Sequence, residues 1–228
     1  MSRRGGATAT DERSPARLSA EARRSQLLDV TAELVMERGA EALTMEAVAL
    51  RAGVSKGLGY AYFANKSELL LALLKREGAE LDRRVIEAIQ SADGFEAQIR
   101  GSLRAYFDVV KERGGLLAVL SQTRLIEGDV EEFRRGRQRA AQEFYGRLVA
   151  EWYALRPRVA ELAATMLLTA ADGVLDAWVT GRAPRQQIEE TYVRFALAGL
   201  AALEAGNGNG RAAASGNGQS RRTHRPRR

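Results

Sequence analysis

The sequence predicts an all-α fold in which an N-terminal three-helix helix-turn-helix domain is followed by a helical bundle. Between residues 19 and 205, apolar residues recur with a period near 3.6, and no convincing run of alternating apolar and polar residues interrupts them. Helix-starting polar residues and helix-ending glycines separate the periodic segments. With 228 residues, 45% of them hydrophobic, the chain can bury a sizeable core.

The first three predicted helices are defined by their end signals. Ser19 is a good N-cap for the first helix, and Gly39 stops it. Thr44 opens a short second helix that ends near Gly53, and Ser55 opens a third that runs to about residue 62. Helices this short are not stable alone, so we expect the first and fourth helices to hold them in place.

A longer fourth helix begins with Asn65 and Glu68 in a capping-box arrangement. Pro157 and Pro184 fit the first turns of the last two helices, which are rich in alanine and glycine. Such small residues allow close helix packing, either within one subunit or between two. The helices predicted after the fourth cover about 94–112, 115–125, 129–154, 157–180 and 184–205.

Both ends of the chain, residues 1–18 and 206–228, are predicted to be disordered, with a flexible spacer over 206–210. The net charge of +6 belongs to these ends, because six arginines and no acid follow residue 204 and residues 1–18 add +2. The folded remainder is left with −2. The basic C-terminal segment has three open interpretations: a solubilising tail, a nonspecific DNA-binding arm, or a partner-binding segment.

The residue inventory excludes several classes of chemistry. The chain has no cysteine, and its single histidine, His224, lies in the polar C-terminal segment. Disulfides, thiolate or histidine metal centres and a Ser-His-Asp triad therefore cannot be assembled, and we expect no cofactor. Asp172 and Asp176 share one helix face without a nucleophile, so an enzyme is not expected. The polar start and the lack of a run of roughly 20 apolar residues favour a cytoplasmic protein without a membrane span.

The segment from Thr44 to Leu69 carries the functional signal. Two short helices joined through Ala52-Gly53-Val54 fit a helix-turn-helix, because glycine permits the left-handed turn and Val54 fills the space between the helices. The second helix of such a pair is the one presented to the major groove of DNA. Residues 51–66 contain three basic residues and no acid, so positive charge lies where DNA would bind.

This segment resembles the DNA-binding region of the TetR family of bacterial regulators over roughly residues 24–70. Where the family usually has Thr-Leu, this chain has Leu58-Gly59, which replaces a phosphate-contacting hydroxyl and an internal packing residue. The resemblance rests on Leu27-Leu28, Gly39, Thr44, Val48-Ala49, Ala52-Gly53-Val54-Ser55-Lys56-Gly57, Tyr60, Tyr62-Phe63, Lys66 and Leu69.

The resemblance implies a DNA-binding domain over residues 19–66, in which Lys56, Gly57 and Tyr60 lie near base edges and Leu58 sits beside them on the same helix. Phosphate contacts would come from Thr44, Ser55, Tyr62 and Lys66. The alternatives are that Tyr60, Tyr62 and Phe63 are core aromatics and that the two lysines are merely solvated. The N-terminal arm could also reach a minor groove through Arg13, Arg17 or Arg23.

For residues 67–205 the resemblance implies a ligand-binding and dimerisation domain. Its last two helices would pair across a two-fold axis in a homodimer. An apolar or amphipathic effector would bind in a cavity, although each aromatic residue could simply fill the core. The candidate cavity residues are Tyr106, Phe107, Gln122, Arg124, Phe144, Trp152 and Asp172.

The sequence therefore predicts a DNA-binding transcriptional regulator, a homodimeric repressor that a small-molecule ligand releases from a double-stranded, pseudo-palindromic operator. The alternative is a helical ligand-binding or adaptor protein without specific operator recognition, which the Leu58-Gly59 departure keeps open.

Overall fold

The computed structural model of the chain describes residues 18–215, with side chains for residues 18–206. This part of the chain is helical and contains no strand, which confirms the predicted all-α fold. A single 3-10 turn, Arg124–Ile126, precedes α6. The helices are α1 (Ala20–Arg38), α2 (Met45–Arg51), α3 (Lys56–Tyr62), α4 (Lys66–Gln90), α5 (Phe95–Gln122), α6 (Glu127–Trp152), α7 (Pro157–Val179) and α8 (Arg185–Ser215).

The chain divides into two compact units, and the division falls inside α4, between Leu73 and Leu74. The N-terminal unit contains α1, α2, α3 and the first two turns of α4. Its core is formed by apolar side chains from α1, α2 and the start of α4, together with Phe63 just after α3; they include Leu27, Leu34, Val48 and Leu69. The C-terminal unit contains the rest of α4 and all later helices.

The predicted end signals of the first four helices are present. Side-chain oxygens of Ser19, Thr44 and Ser55 each accept a hydrogen bond from a backbone N–H in the first turn of the helix that follows. Asn65 does the same for α4, while the Glu68 carboxylate accepts from the backbone N–H of Ala64. These local bonds explain why the starts of the helices could be predicted within a residue or two.

The C-terminal unit has one continuous apolar core, to which α4, α5, α6, α7 and α8 all contribute. The rings of Phe107 and Trp178 stack with their centroids 5.1 Å apart. One carboxylate is buried on α4: Glu77 is 1% exposed and accepts hydrogen bonds from Arg76 and, at 2.9 Å, from Arg113. Every described buried side-chain polar atom has a partner.

Two helices extend beyond their predicted bounds. We expected a break near Gly114, but α5 continues through it, because Leu116 and Leu120 are buried in the core and their packing outweighs the low helix propensity of glycine. The last helix was expected to end at about 205, whereas α8 runs to Ser215 through the predicted spacer at 206–210. Of the two ends predicted to be disordered, 1–18 and 206–228, residues 1–17 and 216–228 lie outside the described residues.

Helix α7 differs from the expectation that no segment could span a membrane. By length and composition alone it is long and apolar enough to do so. Its apolar side chains divide between two surroundings. Ala160, Ala163, Ala164 and Leu167 are buried in the C-terminal unit, whereas Leu162, Met166 and Val179 are exposed.

Candidate nucleic-acid interface and ligand cavity

The turn between α2 and α3 is held from both sides. Gly53 adopts a φ of +66°, a conformation that favours glycine, and its backbone N–H donates to Leu50. The N–H of Val54 donates to the carbonyl of Ala49 at 2.9 Å. The side-chain amide of Gln26 on α1 donates to the carbonyl of Ala52 at 3.1 Å, so α1 fixes the turn that orients α3.

Helix α3 packs on α2 through a residue without a side chain. Gly59 is the buried residue of α3, and a Cβ atom there would lie 3.7 Å from the Cβ of Ala49. Four predicted DNA-binding residues, Lys56, Gly57, Leu58 and Tyr60, are exposed on this helix. The helix therefore turns most of its surface to the solvent, as a helix that enters a DNA groove must.

The hydroxyl groups of Thr44 and Ser55 are exposed at the starts of α2 and α3. Each accepts a backbone hydrogen bond, from Ala47 at 3.1 Å and from Leu58 at 3.2 Å. A hydroxyl has one donor in addition to its lone pairs, so capping leaves each O–H available to donate to a phosphate oxygen.

The remaining two predicted phosphate contacts are half-buried. The Lys66 ammonium donates to the backbone carbonyl of Glu41 at 3.0 Å, which uses one of its three donors and joins the start of α4 to the loop before α2. Tyr62 lies in the last turn of α3. The structure thus places the eight predicted DNA-binding residues on α3, at the N-caps of α2 and α3, and at the first residue of α4.

The aromatic residues of this segment divide between core and surface. Phe63 is 1% exposed, and the guanidinium of Arg24 lies 4.5 Å from its ring centroid, so it is a core residue. Tyr60 is 41% exposed and is not one.

The positive charge of residues 51–66 is less available than the sequence suggests. Arg51 forms a two-pronged ion pair with Glu37 on α1, at 3.0 and 2.9 Å. The hydrogen bond with Arg51 lowers the pKa of Glu37 and raises that of Arg51. Arg51 is therefore paired with an acidic residue of α1, which a count of basic residues could not show.

Lys56 also has an acidic partner. Its ammonium lies 2.5 Å from a carboxylate oxygen of Glu46 on α2 and 5.8 Å from the centroid of the Tyr60 ring. The hydrogen bond between the two side chains raises the pKa of Lys56 and lowers that of Glu46. Sequence reasoning missed Glu46 at this surface, because the two residues belong to different helices and only the turn brings them together.

The C-terminal unit contains a cavity of about 370 Å³ between α4, α5, α6, α7 and α8. Of the seven predicted cavity residues, Tyr106 and Asp172 line it. Phe107 is fully buried in the core, Phe144 packs edge-on against Tyr145, and Trp152 is 49% exposed. Gln122 and Arg124 are exposed at the end of α5 and just beyond it, and do not line the cavity.

The cavity is lined by both apolar and polar side chains, and several of the polar ones are paired. The Tyr106 hydroxyl donates to Asp172 at 2.7 Å, and burial, followed by this bond, raises the pKa of Tyr106. Arg137 on α6 is paired with Asp82 on α4, with a 3.1 Å bond from Nε. Sequence reasoning missed Asp82 and Arg137, as well as further lining residues that include Leu81, Val85, Ser102, Leu103, Arg134, Tyr145, Leu168 and Tyr192.

The exposed sides of α7 and α8 carry large apolar residues. Phe195 on α8 is 68% exposed, and Met166 and Leu162 on α7 are 65% and 60% exposed. The two helices are joined inside the unit by contacts such as the hydrogen bond from the Tyr192 hydroxyl to the carbonyl of Leu167. Among residues 18–215, no group of acidic or histidine side chains is arranged to hold a metal ion.

Comparison with known proteins identifies the N-terminal unit. Residues 27–73 match the model of the family described as bacterial regulatory proteins, tetR family. The chain is 30% identical to the HTH-type transcriptional regulator BetI of Rhizobium meliloti over 64% of this chain and 74% of that protein. It is 37% identical to the HTH-type transcriptional activator FasR of Mycolicibacterium smegmatis over 42% of this chain and 43% of FasR.

A solved structure extends the similarity to the C-terminal unit. A TetR-like transcriptional regulator from Rhodococcus sp. RHA1 is 26% identical, with a TM-score of 0.59, over 81% of this chain and 99% of that one. Sequence similarity to the first curated relatives is shorter and spans 29% to 54% of their own length.

Proposed function

The chain belongs to the TetR family of bacterial regulatory proteins, and from this membership we infer that it is a DNA-binding transcriptional regulator acting in the cytoplasm. The observation that carries the inference is the exposure of Lys56, Gly57 and Tyr60 on α3 while Gly59 packs on α2. A rigid turn holds this helix, and capping hydroxyls flank it. The arrangement supports base contacts from α3 and phosphate contacts from Thr44, Ser55, Tyr62 and Lys66.

Fluorescence anisotropy tests this function directly. A labelled duplex from the DNA upstream of the protein's own coding region, or one selected by the protein from a random library, is titrated beside a scrambled duplex at several salt concentrations. With roughly 6 to 8 phosphate contacts per dimer, log affinity against log salt falls with a slope of about −5 to −7. A slope near zero would contradict DNA binding through this surface.

Replacing Lys56 and Tyr60 together with alanine separates the regulator from the adaptor alternative. Both side chains are exposed, so the double variant should fold and assemble as the unchanged protein does. A regulator loses selective binding to the operator duplex. An adaptor without operator recognition shows no selectivity before or after the change.

We propose that the cavity of the C-terminal unit binds an apolar or amphipathic effector. Its volume of about 370 Å³ lies within the range of small-molecule sites, and its wall combines leucine, valine and alanine side chains with a larger set of polar ones, a mixture that suits an amphipathic molecule. Effector binding would favour a subunit arrangement that no longer fits the operator, so that repression is released.

Ala171 lines this cavity, and Ala171→Phe should fill part of it. The fluorescent dye 1-anilinonaphthalene-8-sulfonate serves as an amphipathic probe, and the variant is expected to bind it several-fold more weakly while retaining operator binding. Ala97→Phe, at an exposed position of α5 away from the cavity, is the matched control. Equal dye binding by both variants would argue against the cavity as the effector site.

We also propose a homodimer through α7 and α8. Four large apolar side chains of these two helices, Leu162, Met166, Val179 and Phe195, are each at least 60% exposed, and a second subunit would remove them from water. Together with the buried residues of α7, these exposed side chains make the helix apolar enough to span a membrane, and a second subunit would cover them without one. A dimer places two α3 helices on the two halves of a pseudo-palindromic operator.

A further inference from the structure

The recognition surface contains an acid where a DNA-binding surface ordinarily excludes one. Glu46 in the first turn of α2 lies 2.5 Å from the ammonium of Lys56, and both side chains are more than half exposed. Lys56 is a candidate base contact on the outer face of α3. The carboxylate therefore belongs to the same surface that would meet DNA.

The ion pair changes what Lys56 can do. A lone lysine on this surface would bind any nearby phosphate and would raise affinity for all DNA equally. Of the three basic residues between 51 and 66, Arg51 is held by Glu37 and Lys56 by Glu46. Lys66 donates to a backbone carbonyl. The charges of Arg51 and Lys56 are therefore each offset by a carboxylate of the protein, which weakens their nonselective attraction to phosphates.

The pair matches the major-groove edge of one particular base pair. Guanine presents two acceptors there, which suit an ammonium donor, and its partner cytosine presents an N4 amino donor, which suits a carboxylate acceptor. Lys56 and Glu46 supply a donor and an acceptor side by side. An A·T pair also presents a donor, adenine N6, but its acceptors, adenine N7 and thymine O4, lie on either side of that donor, so the ammonium would meet one acceptor where guanine offers two adjacent ones.

We propose that Glu46 is a specificity-determining positioning residue: it holds Lys56 away from phosphates, and the pair reads one G·C base pair in each half of the operator. The proposal rests on the function proposed above, because it requires that α3 meets DNA.

Glu46→Gln tests the proposal, since glutamine keeps the size and an acceptor while removing the charge. The unchanged protein and the variant each select duplexes from a random-sequence library, and the enriched duplexes are sequenced. The unchanged protein is expected to enrich a G·C pair at one position of each half-site, and the variant to lose that preference by about fivefold or more. For a dimer of the variant, which has two Lys56 side chains, the slope of log affinity for a scrambled duplex against log salt should become steeper by about two units, about tenfold in affinity between 50 and 200 mM.

Two further variants exclude a merely structural effect. Lys56→Gln alone should also weaken the base preference, and adding Glu46→Gln to it should cost less than Glu46→Gln costs in the unchanged protein, because the two side chains read the base pair together. Glu21→Gln, in the exposed first turn of α1, removes the same charge away from Lys56 and should leave the selected sequence unaltered. Thermal unfolding of all variants checks that each is folded.

The outcomes are distinct. If the unchanged protein enriches a sequence but Glu46→Gln enriches the same one with the same salt slope, Glu46 is a bystander and the proposal is wrong. If the unchanged protein enriches no sequence at all, the proposed function fails and the role of Glu46 falls with it. Enrichment of an A·T pair at the position that responds to Lys56→Gln would also overturn the reading of G·C.

Discussion

At the scale of single residues, a substitution at Gly59 measures helix propensity without a change in packing. A methyl group there would meet the Cβ of Ala49 at 3.7 Å, an ordinary van der Waals distance. Gly59→Ala should therefore fit and raise the free energy of unfolding of the N-terminal unit by about 0.5 to 1 kcal/mol, the difference in helix propensity between glycine and alanine. Denaturant unfolding followed by circular dichroism measures this change.

The control for Gly59 is Gly53, whose φ of +66° is unfavourable for any residue with a side chain. Nothing lies within 4 Å of a Cβ atom at Gly53, so its replacement by alanine isolates the backbone conformation. Gly53→Ala should destabilise by about 1 kcal/mol. If both alanine variants shifted stability in the same direction, the distinction between the two glycines would be wrong.

Buried Glu77 offers a second prediction at this scale. Its carboxylate is the common acceptor for Arg76 and Arg113 and is 1% exposed, so Glu77→Ala removes the compensation for two partly buried guanidinium groups. We expect the free energy of unfolding of the C-terminal unit to fall by about 3 kcal/mol. Glu87→Ala, which breaks an exposed pair with Arg83 on the same helix, should cost far less in the same denaturant titration.

Residues whose roles depend on neighbours in sequence were predictable, and those whose roles depend on neighbours in space were not. Thr44 and Ser55 cap helices through bonds to residues three positions away. Glu46 and Lys56 meet only after the turn forms. In the C-terminal unit, Trp152 was expected in the cavity because it is aromatic, but it lies at the end of α6 and donates to Gln98 on the surface.

At the scale of elements, α4 carries a carboxylate that responds to pH. Glu80 accepts hydrogen bonds from Arg83, at 2.8 Å for each of two contacts, and from Arg84. Chiefly the bonds to Arg83, and then that to Arg84, lower the pKa of Glu80 from 4.5 to about 2. Because the folded pKa is below the unfolded one, ionised Glu80 stabilises the fold above pH 4.5, and this contribution disappears as the pH falls towards 2.

Glu80→Gln is therefore expected to be less stable than the unchanged protein at neutral pH, with the difference shrinking as the pH falls from about 4.5 to about 2. Unfolding midpoints in urea, measured across this pH range, give the comparison. A difference that stays constant down to the lowest pH would show that the arginine contacts do not favour the charged form.

Element boundaries were predictable where a capping side chain marks them, whereas glycine alone marked one boundary correctly and another wrongly. Gly39 ends α1 with a φ of +81°, whereas Gly114 lies inside α5. Both glycines have the same intrinsic preference, so the sequence alone cannot separate them. Burial of the residues that follow Gly114 decides the matter, and burial is a property of the folded unit.

At the scale of the whole molecule, the proposed dimer depends on one apolar surface. Phe195→Glu should place a charge on the exposed side of α8 and prevent association, so that sedimentation gives the mass of a monomer. Leu50→Glu, at a residue 82% exposed on α2, changes the charge equally and should leave the dimer intact.

Operator binding offers a second readout for the same variants. A Phe195→Glu monomer would contact one half of the operator, and its affinity should fall steeply even though α3 is unchanged. A variant that stays dimeric would show that another surface joins the subunits.

The capping hydroxyls of Thr44 and Ser55 limit how this protein can diverge. Each supports its helix through a lone pair and has a proton left for DNA. Alanine at either position would lose both the helix cap and the phosphate contact, and aspartate would cap the helix while repelling phosphate. Exchange between serine and threonine is the substitution that keeps both the helix cap and the phosphate contact. We therefore expect natural variants that still regulate the same operator to have many different residues at the exposed position of Leu50. At positions 44 and 55 they should have only serine or threonine.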